Sequence, residues 1–436
     1  MKFGLFLLLN AILLIRPEEL FQELAGLRLY LLVISLCTLV TLPELMETLS
    51  LDSLRRRPIS ACVLLYFVST ILSLCILGRF EEALLDFGPE FGKVILYYLL
   101  LVSVIDGPSR LRFFILFLIF VIVILTAIAL AQQFGFASFP SIVPCLQTET
   151  DPVTGEQYTL LRMCSSGLFS DPNDLCLILG LGIVSCLYYA AAQDTPILLR
   201  LGVLLPIPVF VLALTETHSR GGLLGVLAGA CTFLVVRFGG PKLIPVVAVS
   251  AVVALGAIGG RQGNIAGGGT AHERLMMWAD GFFNLFHRPL YLPTGLGIGW
   301  YVDECGLVAH NSFVQAYVEQ GIFGGGTFLA AFILSAWIPY RLGKTIPASH
   351  WACDMRPYAC AVACGYAMGC YSLTRNMVLP TYLTLGIVAS VIESTGVALP
   401  AYFYLSRRWF MYLIAFAVAG LVFLKFATQL LGMAGI

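Results

Sequence analysis

The chain has 436 residues, of which 59% are hydrophobic and only 11% charged, where an ordinary soluble domain carries about 25% charged residues. That composition excludes a soluble globular protein and points to a membrane protein. The 25 Lys and Arg balance the 25 Asp and Glu, so there is no basic excess to suggest nucleic acid and no acidic excess to suggest a disordered, solvating chain.

A membrane-crossing helix needs about 20 mostly apolar residues. In chain order the candidate spans fall near 2–15, 27–46, 59–78, 91–106, 111–133, 175–192, 197–215, 222–237, 241–259, 311–338, 357–374, 377–397 and 409–430. The first is short and the boundary at Pro400 is indistinct, so the expected fold is all-α, a polytopic transmembrane helix bundle of about 12 spans with 13 allowed. The alternation of barrel strands is absent, and an open sheet edge could not be satisfied in lipid. The whole chain, 1–436, reads as a single polytopic membrane domain. The run Phe3–Ile15 behind Lys2 resembles a signal-peptide core, yet Arg16-Pro17-Glu18 offers no small-residue cleavage site, so it is kept as a span.

Alternating the loops puts Lys2, Arg55, Arg56, Arg57, Arg110, Arg112, Arg200, Arg237, Lys242, Arg341, Lys344, Arg356, Arg407 and Arg408 on one side, in short loops. The positive-inside rule makes that side cytoplasmic. Two long segments, 134–174 and 260–310, then lie outside, and connections of that length are usually functional or disordered. Most of the thirteen Cys sit inside spans, where Cys behaves as a small apolar residue. Cys145 and Cys164, both in the first outer loop, could form a bridge in an oxidising compartment.

The chemical signal is a clustering of ionisable residues at the outer boundary: His218, His272, His287 and His310, with Arg220, Arg274, Arg288 and Arg375 at similar depth. Such residues are costly there unless paired or functional. Thr217-His218-Ser219-Arg220-Gly221-Gly222 is a very short outer turn that holds Arg220 at the interface; its Gly pair allows close approach of a helix or ligand. The plainer reading is an Arg that snorkels to lipid headgroups. Between Ala271 and His287 an amphipathic helix is expected, with Leu275, Trp278, Phe282 and Phe286 forming a stripe against the bilayer surface or the bundle. Arg274 precedes Trp278 by one turn on the same flank.

Thr294-Gly295-Leu296-Gly297-Ile298-Gly299 lacks a preceding strand and a P-loop Lys, and reads as a tight surface turn. His310-Asn311-Ser312 opens the next span. A His at a helix start is placed for general-base work, since an unperturbed imidazole titrates near pH ~6.5, although a structural cap is the commoner role for such a residue. Asp171-Pro172-Asn173-Asp174 and Asp303-Glu304 could bind a divalent cation, but for Asp171 and Asp174 a turn and helix cap is the simpler reading. Glu319 and Glu393 are intramembrane carboxylates that would suit a proton-coupled transporter.

Taken together, Ser166-Gly167-Leu168-Phe169-Ser170-Asp171-Pro172-Asn173, Ser219-Arg220-Gly221-Gly222, Arg274 with Trp278, Gly295 to Gly299, and His310-Asn311 followed by Glu319-Gln320-Gly321-Ile322-Phe323-Gly324 resemble the O-antigen ligases and their polymerase relatives. The likeness is at motif level over Arg162 to Gly326 and at hydropathy level elsewhere. It implies a multi-pass glycosyltransferase of the bacterial inner membrane, acting on its periplasmic face without cofactor or metal. The implied donor is a glycan on a polyprenyl pyrophosphate; the acceptor is a sugar of the lipid A core for a ligase or a growing glycan for a polymerase. By motif position the family's two functional Arg fall on Arg220 and Arg274 and its functional His on His310; Arg162, His218 and Asn311 are further candidates for substrate contact. A relative that glycosylates protein fits less well, for want of a large soluble domain. A lipid-linked glycan transporter would be expected to show inverted repeats and interrupted helices, and neither is evident in the sequence.

Overall fold

In a chain this apolar, backbone N–H and C=O groups must find partners within their own segment, and helices are the local solution. The computed structural model describes residues 1–24, 26–150, 156–239, 243–245, 269–347 and 349–433. Each expected span except 241–259, of which all but 243–245 lies outside the described residues, coincides with a helix. Among the described residues nine helices are long and apolar enough to cross a membrane. The chain is a multi-pass membrane protein.

The helices that matter below are α1 (Lys2–Ile15), α2 (Pro17–Leu20), α3 (Leu29–Leu49), α4 (Leu51–Arg56), α5 (Pro58–Ile76), α6 (Phe87–Val104), α7 (Pro108–Gln133), α8 (Pro172–Ala191), α9 (Ile197–Leu204), α10 (Pro206–Glu216), α11 (Arg220–Leu234), α12 (Gly269–His287), α13 (Trp300–Cys305), α14 (Ser312–Leu342), α15 (Ala352–Ser372), α16 (Leu379–Ser394) and α17 (Arg407–Met433). The expectation of an all-helical chain is corrected in the first long loop, where β1 (Cys145–Thr150) and β2 (Gln157–Arg162) pair antiparallel with Cys145 opposite Arg162. Outside the apolar spans, cross-strand pairing satisfies the backbone of this Thr-, Leu- and Tyr-containing stretch. Cys145 and Cys164 are free thiols. The Cys164 thiol donates to Val143 O at 3.3 Å, and burial pushes its pKa up.

Two compact units can be distinguished. The first comprises Met1–Pro43, Val104–Ile265 and Pro339–Gly369; the second comprises Glu44–Ser103, Ala266–Ile338 and Cys370–Ile436. In the first unit, α8 and α11 pack closely because glycine leaves no side chain between them. A Cβ at Gly222 would sit 2.5 Å from Cys176 Sγ, and one at Gly225 would sit 2.9 Å from Gly365 O on α15. This is the small-residue packing expected where lipid offers no hydrophobic drive for helix association. The end of α1 is tied in as well, since Ser166 Oγ donates to Ile15 O at 2.8 Å and Gly167 N to Glu19 Oε2 at 2.7 Å.

In the second unit, α14 is interrupted. Gly321 has φ 67° and ψ −162°, so Ser312–Leu342 is two helices meeting at a break. The backbone groups released there are taken up by the loop before α13: Leu296 N donates to Val318 O at 2.9 Å, Gly297 N to Glu319 O at 3.0 Å, Ile322 N to Leu292 O at 2.8 Å and Phe323 N to Pro293 O at 3.1 Å. The Gly295–Gly299 segment is therefore not the surface turn the sequence suggests. Leu296 and Ile298 are buried, and the segment plugs a broken helix.

Candidate functional site

In the first unit, Arg220 is the first residue of α11, so its backbone is fixed by a helix start and not by a long loop. Ser219 caps that helix: its Oγ accepts from Gly222 N at 3.1 Å while its hydroxyl donates to Asn173 Oδ1 at 2.6 Å. Asp171 caps α8 in the same way, accepting from Asn173 N at 2.7 Å, as the sequence suggests. Two helix starts are thus stitched together through Asn173.

Arg162, at the end of β2, locks the stitch. Its Nε donates to Thr217 O at 3.0 Å, Nη1 to Gln147 Oε1 at 3.1 Å and Nη2 to Asn173 Oδ1 at 2.9 Å, and the residue is 7% exposed. A guanidinium with each nitrogen engaged by the protein positions its neighbours. His218, between Thr217 and Ser219, is half-buried and has φ 50°, in the left-handed region. That conformation costs a non-glycine residue about 1–2 kcal/mol, so it is imposed by its surroundings.

In the second unit, α12 buries Leu275, Trp278, Phe282 and Leu285 in one cluster with Tyr301, Tyr317, Val318 and Leu421. The predicted stripe is real, and it faces the bundle. Trp278 Nε1 donates to Ala309 O at 2.6 Å, which joins α12 to the residue immediately before His310. Arg274, one turn before Trp278 and half-buried, donates to Ser372 O at 3.5 Å.

His310 stands just outside the N-terminus of α14 with φ 52°. It shares with His218 the same local device, a left-handed histidine directly ahead of a capping residue. Asn311 is that cap, its Oδ1 accepting from Phe313 N at 3.0 Å and Val314 N at 3.1 Å. With the oxygen committed, the amide orientation is fixed, and Nδ2, fully buried, has no hydrogen-bond partner among the described residues. A buried donor without a protein partner is uncommon and marks this helix start among the buried polar groups.

The loop after α15 closes around the same helix start. Ser312 Oγ donates to Leu373 O at 2.6 Å and accepts from Arg375 N at 2.7 Å, while Thr374 Oγ1 donates to Gln315 Oε1 at 2.9 Å. Gln315 Oε1 also accepts from Ala309 N at 3.3 Å, and its Nε2 donates to Glu319 Oε2 at 3.1 Å. The other Glu319 oxygen accepts from Tyr301 N at 3.3 Å. Glu319 is thus held in a fixed network that supports the backbone on both sides of His310.

Within the second unit the structure brings Arg274, His310 and Asn311 to one neighbourhood and adds Arg375, a residue whose depth the sequence indicates but whose company it does not. Gln315 and Thr374 carry no sequence signal, because their part depends on a contact between distant segments. Within the first unit the structure brings together Arg162, His218 and Arg220.

A family model described as O-antigen ligase matches residues 204–329. Over that stretch the chain is similar to the O-antigen ligase family. The matched stretch takes in His218, Arg220, Arg274, His310 and Asn311 and leaves out Arg162 and Arg375. No curated protein matches the chain. That similarity, in a multi-pass chain, supports a membrane enzyme of the O-antigen ligase and polymerase kind.

Proposed function

We propose that the protein transfers a glycan from a polyprenyl-pyrophosphate carrier to an acceptor hydroxyl, a sugar of the lipid A core, on the periplasmic side of the inner membrane. The acceptor oxygen attacks the anomeric carbon, the bond to the pyrophosphate breaks, and its electron pair leaves on the pyrophosphate oxygen. His310 takes the hydroxyl proton, which gives direct displacement with inversion. Arg274 carries the fixed positive charge and forked donors that a departing pyrophosphate needs near a low-dielectric boundary. Arg220 is assigned to substrate binding by the same guanidinium chemistry, and no divalent ion is invoked. Asn311 Nδ2 is the donor for a substrate oxygen beside His310.

The observation that carries this reading is the 2.6 Å bond from Trp278 Nε1 to Ala309 O. It ties the helix bearing Arg274 to the turn bearing His310, which supports a reading in which one supplies a cation and the other a base. The test mixes purified protein with polyprenyl-pyrophosphate glycan and each acceptor in the presence of a chelator. Transfer to lipid A core is expected. Lengthening of the glycan instead would make the enzyme a polymerase with the same residues, and no transfer to either acceptor would sink the reading.

A further inference from the structure

A second feature of the molecule lies in the second unit, at the end remote from His310. Helices α5 and α14 run in opposite directions there: Ser73, late in α5, donates to Glu319 O at 2.9 Å, whereas Pro58, at its start, lines a small cleft with Ile338 and Glu393. The start of α5 therefore marks the far end, and that end carries Arg55, Arg56, Arg57, Arg407 and Arg408.

Between α5 and α17 runs an apolar furrow. One part, about 410 Å³, is lined by Ala61, Leu65, Val68 and Phe410, with Arg55 and Arg407 at its mouth. A second part, about 220 Å³, shares Leu65, Val68 and Phe410 and continues past Leu72 to Phe323 and Ala417. From Ala61 to Leu72 the helix rises ~16 Å, about half of a ~30 Å hydrocarbon layer. The furrow is one leaflet deep.

The cations at its mouth are not spent on each other's neighbours. Arg57 is engaged by Glu393 at 3.2 Å and by Thr48 at 3.2 Å. Among the described residues the ion pair of Arg55 is an exposed one with Asp52 at 3.4 Å, a kind worth little. Among the described residues Arg56, Arg407 and Arg408 form no ion pair. We propose that this furrow binds one anionic glycerophospholipid from the leaflet on that side, with its phosphate between Arg55 and Arg407 and an acyl chain along Leu65, Val68 and Phe410. Guanidiniums match phosphate oxygens in charge and geometry, and a zwitterionic headgroup would bring its own cation against them. The site is separate from the glycan-transfer chemistry and does not depend on it.

The test uses the full chain, purified, delipidated and exposed to equal phosphatidylglycerol and phosphatidylethanolamine, with retained lipid identified by native mass spectrometry. The wild type is expected to retain phosphatidylglycerol at least about tenfold over phosphatidylethanolamine, in line with the attraction of near-surface arginines to anionic lipid. Arg55→Ala with Arg407→Ala is expected to abolish that preference. It should leave the fold intact, because the contact of Arg55 with Leu405 runs through its backbone carbonyl. Val68→Trp fills the furrow from an exposed position and is expected to prevent retention with all arginines present. Equal retention of the two lipids, an unchanged preference in the double variant, or full retention by a folded Val68→Trp protein would each overturn the proposal, as would recovery of a polyprenyl phosphate in place of the phospholipid.

Discussion

Gly295 and Gly321 stand backbone to backbone. A Cβ on Gly321 would lie 2.5 Å from Gly295 N, and one on Gly295 would overlap the Glu319–Gln320 peptide. Both residues also have φ in the left-handed region, at 82° and 67°. Each glycine permits the other, and together they let the 292–297 loop enter the break in α14. Gly295→Ala and Gly321→Ala are expected to be strongly destabilising, by the ~1–3 kcal/mol of a strained backbone plus the overlap. Gly396→Ala is the control, because Gly396 has φ 65° but open space around it, so it bears the backbone cost alone. Thermal unfolding in detergent should rank both partners well below the control. Equal melting temperatures for all three would mean that the close approach has no energetic weight.

Arg162 and Arg220 should respond to substitution in opposite ways. Arg162 serves three acceptors from a buried position, and Lys, with a single ammonium, cannot span them. Arg162→Lys is expected to lose stability by about 1–3 kcal/mol, the usual cost of orphaning a buried polar group, and activity only as a consequence. Arg220→Lys keeps the charge and the helix start but loses the fork. It is expected to leave the melting temperature nearly unchanged while turnover falls substantially. A fully active Arg220→Lys enzyme would show that charge alone suffices there.

The helices of this protein were legible because length and apolarity alone determine them, and α12 was legible because Leu275, Trp278 and Phe282 repeat at helical spacing on an otherwise polar background. The hairpin at Cys145–Arg162 was hidden because strands of six residues in a mixed polar loop carry a weak alternation. The break at Gly321 was hidden for another reason: a glycine inside a span-length helical pattern is normally tolerated, and only the docking of Gly295 opposite it decides otherwise. The candidate site divides in the same way. His310, Arg220 and Arg274 stand out as ionisable residues at a membrane boundary, whereas Gln315 and Thr374 gain their part from a hydrogen-bond network that joins segments far apart in the chain.

Trp278 connects α12 to the turn before α14 through one hydrogen bond, so removing only that bond tests whether the connection matters to the proposed reaction. Trp278→Phe keeps an aromatic ring in the cluster with Leu275 and Phe282 but cannot donate to Ala309 O. A net cost of about 0.5–1.5 kcal/mol in stability is expected. The larger effect should be on kcat, with little change in the apparent affinity for donor, because the His310 backbone loses its anchor while Arg274 remains on its helix. His310→Ala sets the scale, with a loss of about 10²- to 10⁴-fold if it acts as general base. A Trp278→Phe enzyme impaired only in donor KM would mean that the bond supports α12 and not the base.

Asn311 combines two duties that substitution can separate. Its oxygen caps α14, and its Nδ2 is a buried donor without a partner among the described residues. Asn311→Ser retains a capping oxygen, since Ser and Asn are comparable at that position, whereas Asn311→Ala loses the cap at about 1 kcal/mol. Both lose the amide donor. If Nδ2 binds a substrate oxygen, the two variants should be similarly slow, by roughly ten- to a hundredfold for a hydrogen bond made in the reacting complex. Their melting temperatures should nevertheless differ, with Ala the lower. Turnover that follows stability across the pair, with the Ser variant near wild type, would show that the side chain serves the helix alone and would remove Asn311 from the substrate contacts.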